Sequence, residues 1–388
     1  MPAKRERLAR RRRAAGLTQE QLAELLNTDR STLQRWELGN TTPLPEQQRK
    51  LARALNVTAA ELADLLEPEH GNGSGSTTER VAYALQHPGG TDMATVAQLR
   101  QQVSDLDERY DRLPSTSLLA DTAQALGQIG FLAKYARPSL RRDLQRVEAT
   151  AATLLGQLVW DASQRRDHRT ARHYFEQAGR AARQVNDPVA EGHALLRRSY
   201  LALYGEHDPV EGLRLTEHAA AVTNTASDVL TGLAQLHSAE AHAMLGETRR
   251  CEAALAAAET SFGKVTSADA AANLFSPTQF DRLAGSCYLF LGNHGRAQRI
   301  LDDAATAMTA PTKSQAVVLG NLGLAYLHQR DLDSAVASLH DAIDVLKTNR
   351  GGGGLNVVSN AVRKLRRWRS EPAVQDVYDR LFSLMTAQ

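Results

Sequence analysis

The spacing of apolar and polar positions from residue 1 to residue 68 predicts a small bundle of five helices. Short segments with helical apolar periodicity alternate with residues that start helices. Thr18 with Gln21, and Thr58 with Glu61, have the spacing of capping boxes, and Thr28 is placed to cap the third helix. The apolar residues of these segments form one predicted core: Leu22, Leu25, Leu26, Leu33, Trp36, Leu51, Leu55, Val57, Leu62 and Leu65.

The second and third predicted helices are separated by about three residues, the spacing of a helix-turn-helix. Gly16 and Gly39 lie just past the ends of the first and third helices, where glycine commonly ends a helix. The stretch LTQEQLAELLNTDRSTLQRWELGNTTP resembles the helix-turn-helix of the xenobiotic-response-element family, which includes the lambdoid phage repressors and Cro. The resemblance covers nearly all of residues 5–66 and implies a five-helix, lambda-repressor-like DNA-binding domain at 1–68.

The resemblance also implies which side chains meet the bases of double-stranded DNA. In that family the start of the third helix enters the major groove. By position in the motif, Arg30, Ser31 and Arg35 would face base edges, with Thr32 and Gln34 close by. Arginine suits this role because it can donate two hydrogen bonds to guanine, contributing about 1–3 kcal/mol of discrimination. Alternatively, the two arginines are solvated or meet phosphates only.

Contacts to the DNA backbone are implied on either side of the third helix. Gln19 begins the second helix, where the family holds a phosphate. Asn40 and Thr41 match the position of a second backbone contact, the alternative being a plain turn. Trp36 shares a face with Leu33, so we expect it in the core rather than on DNA.

Positive charge is concentrated at the N-terminus of a chain whose net charge is only +2. Residues 1–68 hold 12 Lys/Arg against 9 Asp/Glu, and positions 1–16 alone hold seven against one. A nucleic-acid contact would need that charge at this end. Within the arginine run at 10–13, the resemblance implies that Arg12 pairs with Glu37, leaving the others for phosphates or water.

Residues 69–79, EHGNGSGSTTE, are polar and rich in Gly and Ser, which predicts a flexible linker. Beyond it, five segments share a spacing in which a small residue precedes an alanine by seven positions. The pairs are Ala171/Ala178, Gly212/Ala219, Cys251/Ala258, Ala297/Ala304 and Ala335/Ala342. Seven residues are about two helical turns, so each pair lies on one face and allows a neighbouring helix to approach closely.

These segments follow one another after 41, 39, 46 and 38 positions and resemble tetratricopeptide repeats, although that repeat is shorter, at about 34 residues. The best match is 321–343, with Gly323, Tyr326, Ala335 and Ala342 in the expected places. The resemblance implies a tetratricopeptide-like α-solenoid over 115–350. Together with the first domain, it makes the predicted fold all-α.

The segments that flank the predicted repeats are also expected to be helical. Residues 80–114 are predicted to hold connecting or dimerising helices, because apolar side chains in 93–113 recur at intervals of three and four. This stripe fits a short coiled coil, but packing against the solenoid is favoured. Residues 351–388 are predicted to form a last helical pair, with GGGG at 351–354 as a hinge. The segment RKLRRWR is either a DNA contact or a solvated basic helix end, and the solvated end is favoured.

The inner helices of a solenoid line a concave groove that commonly binds peptides or protein segments. Asn can hydrogen-bond a peptide backbone and Arg can clamp a carboxylate, although each candidate can equally be an ordinary surface or inter-repeat residue. The insertion ANLFSPTQF, 272–280, either overhangs the groove or fills a packing gap. Candidates that face the groove in this register are Gln157, Trp160, Arg197, Arg198, His237, Glu240, Arg282, Asn321 and His328.

Composition narrows the classes of protein that remain. Apolar residues make up 42% and aromatics only 5%, which favours close-packed helices. No apolar run is long enough for a membrane span or a secretory signal, and Cys251 and Cys287 give no disulfide framework, so we expect a cytoplasmic protein. Nucleotide-binding, metalloprotease and thiol-redox motifs are missing and the histidines lack ligand spacing, so we expect no enzyme, cofactor or metal site.

The combined architecture resembles the helix-turn-helix/tetratricopeptide regulators of Gram-positive bacteria, some of which sense signalling peptides. The resemblance implies a homodimer on an inverted-repeat operator, because one such domain reads only a half-site. A peptide or small-molecule effector in the groove would modulate operator binding, through dimer formation or through a twist of the dimer. The alternative is a DNA-tethered scaffold that recruits a protein without sensing a ligand. A polar groove would favour sensing, and an apolar groove occupied by the protein's own helix would favour scaffolding.

Overall fold

The computed structural model describes residues 6–15, 17–38, 41–55, 57–58, 62, 65–66, 77–349 and 351–386. All regular structure in these residues is helical, which confirms the all-α prediction. The chain divides into two compact units, Met1–Ala82 and Tyr83–Gln388. None of the helices described is long and apolar enough to cross a membrane.

The first unit contains short helices around a leucine core. They are α1 (Glu6–Ala14), α2 (Gln19–Leu25), α3 (Arg30–Glu37) and α4 (Pro45–Ala54). Leu62, Leu65 and Leu66 are helical in the stretch predicted for the fifth helix. The capping box at α2 is confirmed: the Gln21 amide donates to Thr18 Oγ1 at 3.2 Å, and the Thr18 amide donates to Gln21 Oε1 at 2.8 Å.

Two predictions for this unit are wrong in detail. Asp29, not Thr28, holds the N-cap position of α3, because the residue before it, Thr28, still belongs to the turn that follows α2. Leu25 is 62% exposed, because Leu22, Ala23 and Leu26 form the face of α2 that meets the core and Leu25 lies on its flank. Gly16, Gly39 and Glu61 lie outside the described residues.

The other helices run from the boundary between the units to the C-terminus. They are α5 (Thr77–Gln86), α6 (Met93–Arg109), α7 (Ser115–Tyr135), α8 (Pro138–Ala162), α9 (His168–Gln184), α10 (Pro188–Tyr200), α11 (Pro209–Thr223), α12 (Asp228–Met244), α13 (Thr248–Phe262), α14 (Gln279–Phe290), α15 (His294–Ala307), α16 (Lys313–His328), α17 (Leu332–Thr348), α18 (Gly352–Lys364) and α19 (Pro372–Thr386).

The predicted linker at 69–79 is only partly described. Residues 69–76 lie outside the described residues, whereas 77–79 already form the first turn of α5. The C-terminal end of the predicted linker is therefore wrong, because threonine and glutamate are also common at the start of a helix.

From α7 to α17 each helix packs against the next in the chain, which is the arrangement of a helical solenoid. The small residues of the five predicted pairs are all buried, on α9, α11, α13, α15 and α17. Asp or Asn side chains cap the N-termini of α9, α10, α11, α15 and α17 by accepting from backbone N–H groups. The spacing therefore identified the second helix of each repeat correctly.

The apolar stripe of α6 is buried within its own unit. Val96, Leu99, Val103 and Leu106 have almost no exposed surface. α6 packs on α7 and α8, and Leu106 near its C-terminal end joins a cluster of leucines from those two helices. The favoured prediction, packing against the solenoid, is confirmed. The stripe is already buried there, so it is not exposed for a coiled coil.

The glycine run at 351–354 is not a hinge. Gly351 is the N-cap of α18, and Gly352, Gly353 and Gly354 form the buried first turn of that helix. These positions lack side chains because residues of other helices approach the backbone closely. The helices α18 and α19 form the predicted C-terminal pair. In the insertion at 272–280, the ring of Phe275 lies 5.4 Å from that of Phe262, which favours the packing interpretation.

Candidate DNA-binding surface and effector site

The helix α3 has a buried face and a polar outer face. Leu33, Trp36 and Glu37 are buried, which confirms the core position of Trp36. The residues predicted to face base edges lie on the outer side: Arg30, Ser31, Gln34 and Arg35 are exposed, and Thr32 is partly exposed. The outer face thus presents hydrogen-bond donors of the kind that read the major groove.

The two arginines of α3 have different surroundings. Arg30 forms an ion pair with Glu20 of α2, with 2.8 Å between Nη1 and Oε1, and both side chains are more than half exposed. Arg35 donates from Nε to the Ser31 carbonyl at 3.3 Å and from Nη2 to Thr32 Oγ1 at 3.4 Å. These long contacts to its own helix leave the Arg35 guanidinium in solvent, where a base or phosphate can replace them.

A buried carboxylate braces α3 against α1 and α2. Arg12 Nε donates to Glu37 Oε1 at 2.7 Å, so the predicted pair is present. Gln19, predicted to hold a phosphate, donates from Nε2 to Glu37 Oε2 at 2.6 Å. Thr41 is exposed, with its amide 3.4 Å from the Arg35 carbonyl, and Asn40 lies outside the described residues.

In the second unit, buried polar side chains of successive inner helices meet in one network. The Tyr204 hydroxyl lies 2.7 Å from His237 Nδ1 and donates to the Glu240 carboxylate. His237 Nδ1 is 3.0 Å from Glu240 Oε2. Burial alone would raise the pKa of Glu240, but hydrogen bonds from His237, Tyr204 and Ser286 outweigh it and lower the pKa. Burial lowers the pKa of His237, against the opposing effect of the Glu240 carboxylate that its Nδ1 faces.

Two arginines flank this network. Arg197 Nε donates to His193 Nε2 at 3.1 Å, and its guanidinium lies 5.4 Å from the centre of the Tyr200 ring. The ring of Tyr200 is in turn 4.2 Å from that of His237. Arg282 acts electrostatically on Tyr200 and His237, yet its guanidinium makes no hydrogen bond or ion pair with a described residue. The two guanidinium groups therefore have N–H donors that no described residue accepts from.

The C-terminal end of α6 adds acidic groups near Arg197. Asp107, Tyr110 and Asp111 all act electrostatically on the Arg197 guanidinium. Burial raises the pKa of Asp107, as expected for a carboxyl enclosed by several helices. Burial together with Arg197 lowers the pKa of His193 to about 3, so its ring is neutral and accepts the Arg197 hydrogen bond. We call the following side chains the interior cluster: Asp107, Tyr110, Asp111, His193, Arg197, Tyr200, Tyr204, His237, Glu240 and Arg282.

The beginning and the end of the solenoid touch beside the interior cluster. Lys313, at the start of α16, is only 6% exposed and donates from Nζ to Ser115 Oγ at 2.8 Å. The same Nζ lies 3.7 Å from Asp161 Oδ2 and 3.8 Å from the centre of the Tyr110 ring. Tyr110 donates to Asp161 Oδ2 at 2.7 Å and accepts from Gln157 Nε2 at 2.9 Å. We call this set of contacts the closure contact.

The glycine run completes the closure contact. A Cβ on Gly352 would lie 3.0 Å from the Asp161 carbonyl oxygen, and one on Gly353 would lie 2.2 Å from Arg165 Nη2. Only residues without a side chain allow the first turn of α18 to approach the end of α8 this closely. The last repeats are thus held against the first ones, and the concave side of the solenoid is closed into a ring.

The predicted groove residues have three different outcomes. Arg197, His237, Glu240 and Arg282 meet at the interior cluster, and Gln157 meets Tyr110 at the closure contact. Trp160 is fully buried with the Arg165 guanidinium 4.4 Å from its ring, so it is a core residue and not a groove residue, because it packs with Ala171, Phe175 and Leu201 from the segments that follow it.

The remaining three candidates lie away from the interior cluster's hydrogen bonds. Arg198 lies 3.8 Å from Glu176 and 3.6 Å from Glu211, which ties neighbouring outer helices together. Asn321 is buried within α16. His328 is exposed and stacks on His294, with 4.2 Å between ring centres.

Several residues of the site were not predicted. His193 and Tyr204 belong to the run His193, Arg197, Tyr200 and Tyr204, whose intervals of four, three and four place all four on one helical face. That spacing was available in the sequence. Lys313 and Asp161 gave no such signal, because their proximity depends on the closing of the whole solenoid.

No cluster of three or more His, Cys, Asp or Glu in the described residues is arranged to hold a metal ion. His242, which the sequence places near His237, has its Nδ1 2.7 Å from Oε2 of Glu247, the N-cap residue of α13.

Residues 8–62 match the family model described as helix-turn-helix. The first unit contains a helix-turn-helix domain, a fold found in DNA-binding transcription regulators, and helical repeats follow it in the second unit. No curated protein sequence is significantly similar to this chain.

Solved structures with a similar arrangement of helices have low sequence identity. The apo quorum sensor NprR from B. thuringiensis is 12% identical, with a TM-score of 0.44, over 84% of this chain and 93% of that one. BtubC from P. vanneervenii is 16% identical, with a TM-score of 0.41, over 58% of this chain and 89% of that one.

Proposed function

We propose that this protein is a sequence-specific transcription regulator that acts as a dimer and senses an organic effector in its second unit. The observation that carries the DNA-reading part is the outer face of α3. It presents Arg30, Ser31, Gln34 and Arg35 to solvent within a helix-turn-helix domain. A single domain of this kind reads one half-site, so an inverted-repeat operator calls for two copies.

The polar interior cluster supports sensing over scaffolding. Its guanidinium groups, Arg197 and Arg282, have donors that no described residue satisfies, and Tyr200 offers an aromatic face between them. A peptide or small molecule with a carboxylate and an apolar part would complement these groups. A site for recruiting a protein helix would instead be an apolar groove.

The effector would act by differential binding to two states of the protein. A change of about 1–3 kcal/mol in operator affinity is sufficient for a useful switch. The closure contact adjoins the interior cluster through Tyr110, which takes part in both. An effector that displaces Tyr110 would therefore weaken the contact between the first and last repeats.

The test is the selection of bound fragments from the source genome by wild type, Arg35→Ala and Arg53→Ala. Arg53 is an exposed arginine on α4 and serves as the control for loss of one charge. We expect wild type and Arg53→Ala to enrich the same inverted repeat. Arg35→Ala should lose about 1–3 kcal/mol of discrimination at one position of each half-site.

Uniform, salt-sensitive binding without an enriched sequence in any of the three proteins would contradict sequence-specific regulation. It would leave a DNA-tethered scaffold as the better function. An enriched sequence that is identical for all three proteins would keep the regulator but remove Arg35 from base reading.

A further inference from the structure

We propose that residues 363–369, RKLRRWR, which we call the basic segment, bind the phosphate backbone of duplex DNA as a second contact. The inference rests on the proposed function, in which α3 reads the operator. Sequence alone favoured a solvated helix end for this segment. The structure adds two observations that the sequence does not contain, namely which residues lie next to the segment and how its side chains are arranged.

The basic segment is the densest group of cations in the second unit, with five Lys or Arg in seven residues. It covers the end of α18 and the 3₁₀ turn Leu365–Trp368, anchored by the fully buried Leu365. None of the five cations forms an ion pair with a residue that the structure describes. All five are exposed: Arg363, Lys364, Arg366, Arg367 and Arg369.

Stabilisation of the helix end does not account for this density. The C-terminus of a helix carries about half a negative charge, so one or two cations are enough to complement it. Further cations repel each other at a cost to stability. On α17 and α19 nearby, by contrast, Lys347 and Arg380 share the carboxylate of Asp344 at 2.8 and 2.6 Å.

Aromatic rings hold two of these cations in place. The Arg367 guanidinium lies 3.8 Å from the centre of the Trp368 ring, and that of Arg369 lies 5.3 Å from the Tyr378 ring. Such cation–π contacts restrict the side chains without neutralising them. Less side-chain entropy is then lost when an anion binds.

Two other helices contribute to the same surface. The stacked rings of His294 and His328 come from the start of α15 and the end of α16. Partial burial lowers the pKa of His328, and the charges of His294, Lys364 and Arg367 lower it further. The surface therefore combines the consecutive helices α15 and α16 with the end of α18.

Duplex DNA is the partner that fits best, because its phosphates release counterions when cations replace them. The helix-turn-helix domain on the same chain brings DNA to a high effective concentration near this segment. A helix end with exposed arginines can contact phosphates, but it does not enter a groove. The basic segment should therefore add affinity and salt dependence, without adding sequence preference.

The experiment compares the full chain with the variant Arg363→Gln/Lys364→Gln/Arg366→Gln/Arg367→Gln. The probes are a random-sequence duplex and the duplex selected by wild type, equal in length and titrated at several NaCl concentrations. We expect the slope of log affinity against log salt to become shallower by roughly 2–4, at about 0.9 for each phosphate that is no longer neutralised. The preference for the selected duplex should not change.

The matched control is Arg142→Gln/Arg169→Gln/Arg180→Gln/Arg249→Gln, which removes the same charge from exposed positions of the same unit. It should reduce the slope by less than the value of a single phosphate. Equal slopes for the two variants would overturn the second contact while leaving the proposed function intact. If the wild-type protein showed no preference for the selected duplex over the random one, the result would instead count against the proposed function.

Two further outcomes are decisive. An unchanged DNA slope, together with loss of binding to a polyglutamate peptide, would overturn the proposal and assign the segment to an acidic protein partner. Wild-type protein that binds neither duplex would overturn both proposals. Matching circular dichroism and melting temperatures of the variants would exclude misfolding as the cause of any difference.

Discussion

Glu37 connects the stability of the first unit to its DNA-binding surface at the scale of single residues. Its buried carboxylate accepts hydrogen bonds from Arg12 and Gln19. A buried charge is tolerated only when it is paired in this way. Gln19 can therefore hold a phosphate through its backbone amide at the start of α2 while its side chain stays on Glu37, or it must release Glu37 to use the side chain.

His193 gives the second unit a pH dependence that can be measured. Its pKa is about 3 in the folded protein, against 6.5 for an unperturbed histidine. Between these values the unfolded chain binds a proton that the folded protein does not, so stability falls as the pH falls below about 6.5. We expect a loss of about 2 kcal/mol between pH 7 and pH 5, which His193→Gln should remove.

Urea denaturation at pH 7, 6 and 5, followed by far-ultraviolet circular dichroism, measures this effect. His218→Gln changes an exposed histidine on α11 and should keep the wild-type pH dependence. An identical pH dependence in His193→Gln and wild type would mean that the pKa of His193 is the same in the folded and unfolded protein.

At the scale of helices, the effect of a glycine on stability depends on whether another helix packs against it. A Cβ on Gly192 of α10 would lie 2.1 Å from Thr223 Cγ2 of α11, whereas a Cβ on Gly127 of α7 would meet nothing within 4 Å. We expect Gly192→Ala to destabilise the second unit by about 1–3 kcal/mol through overpacking. Gly127→Ala should stabilise it by about 0.5–1 kcal/mol, because alanine is the better helix former.

Thermal unfolding of the two glycine variants beside wild type is the measurement. Opposite signs are expected, with Gly127→Ala as the control for the general effect of adding a methyl group in a helix. A stabilised Gly192→Ala protein would show that α10 and α11 can move apart at no cost.

At the scale of the whole second unit, the closure contact links segments that are far apart in the chain, since Lys313 and Ser115 are separated by 198 positions. Lys313 supplies its buried charge, and Asp161, only 5% exposed, supplies the opposite one. Removing Lys313 takes away one of two cations beside Asp161, since Arg165 Nε lies 3.6 Å from Asp161 Oδ1, so we expect a cost below the roughly 3–5 kcal/mol of an uncompensated buried charge. We expect Lys313→Ala to open the ring without unfolding the individual repeats.

Hydrogen exchange and small-angle X-ray scattering test the opening. Exchange should increase at the starts of α16 and α18, and the radius of gyration should increase. Lys347→Ala removes an exposed lysine paired with Asp344 on α17, a pair worth at most about 1 kcal/mol, and should change neither quantity. Unchanged exchange in Lys313→Ala would mean that the glycine run alone keeps the ring closed.

Local patterns in the sequence determined most of the helices. The capping box at Thr18, the polar and apolar faces of α3, and the small residues seven positions apart are signals that act within one or two helical turns. The apolar stripe in 93–113 likewise predicted which face of α6 is buried. Each of these depends on neighbours within the same helix, so periodicity was sufficient.

Tertiary structure alone decided what covers each buried face. The glycines at 351–354 have no distinguishing signal in the sequence, and they are buried because the last repeats return to the first. The pairing of Lys313 with Asp161 has the same origin. Periodicity tells which side of a helix avoids water, but not which distant helix meets it, because that depends on the summed curvature of every repeat between them.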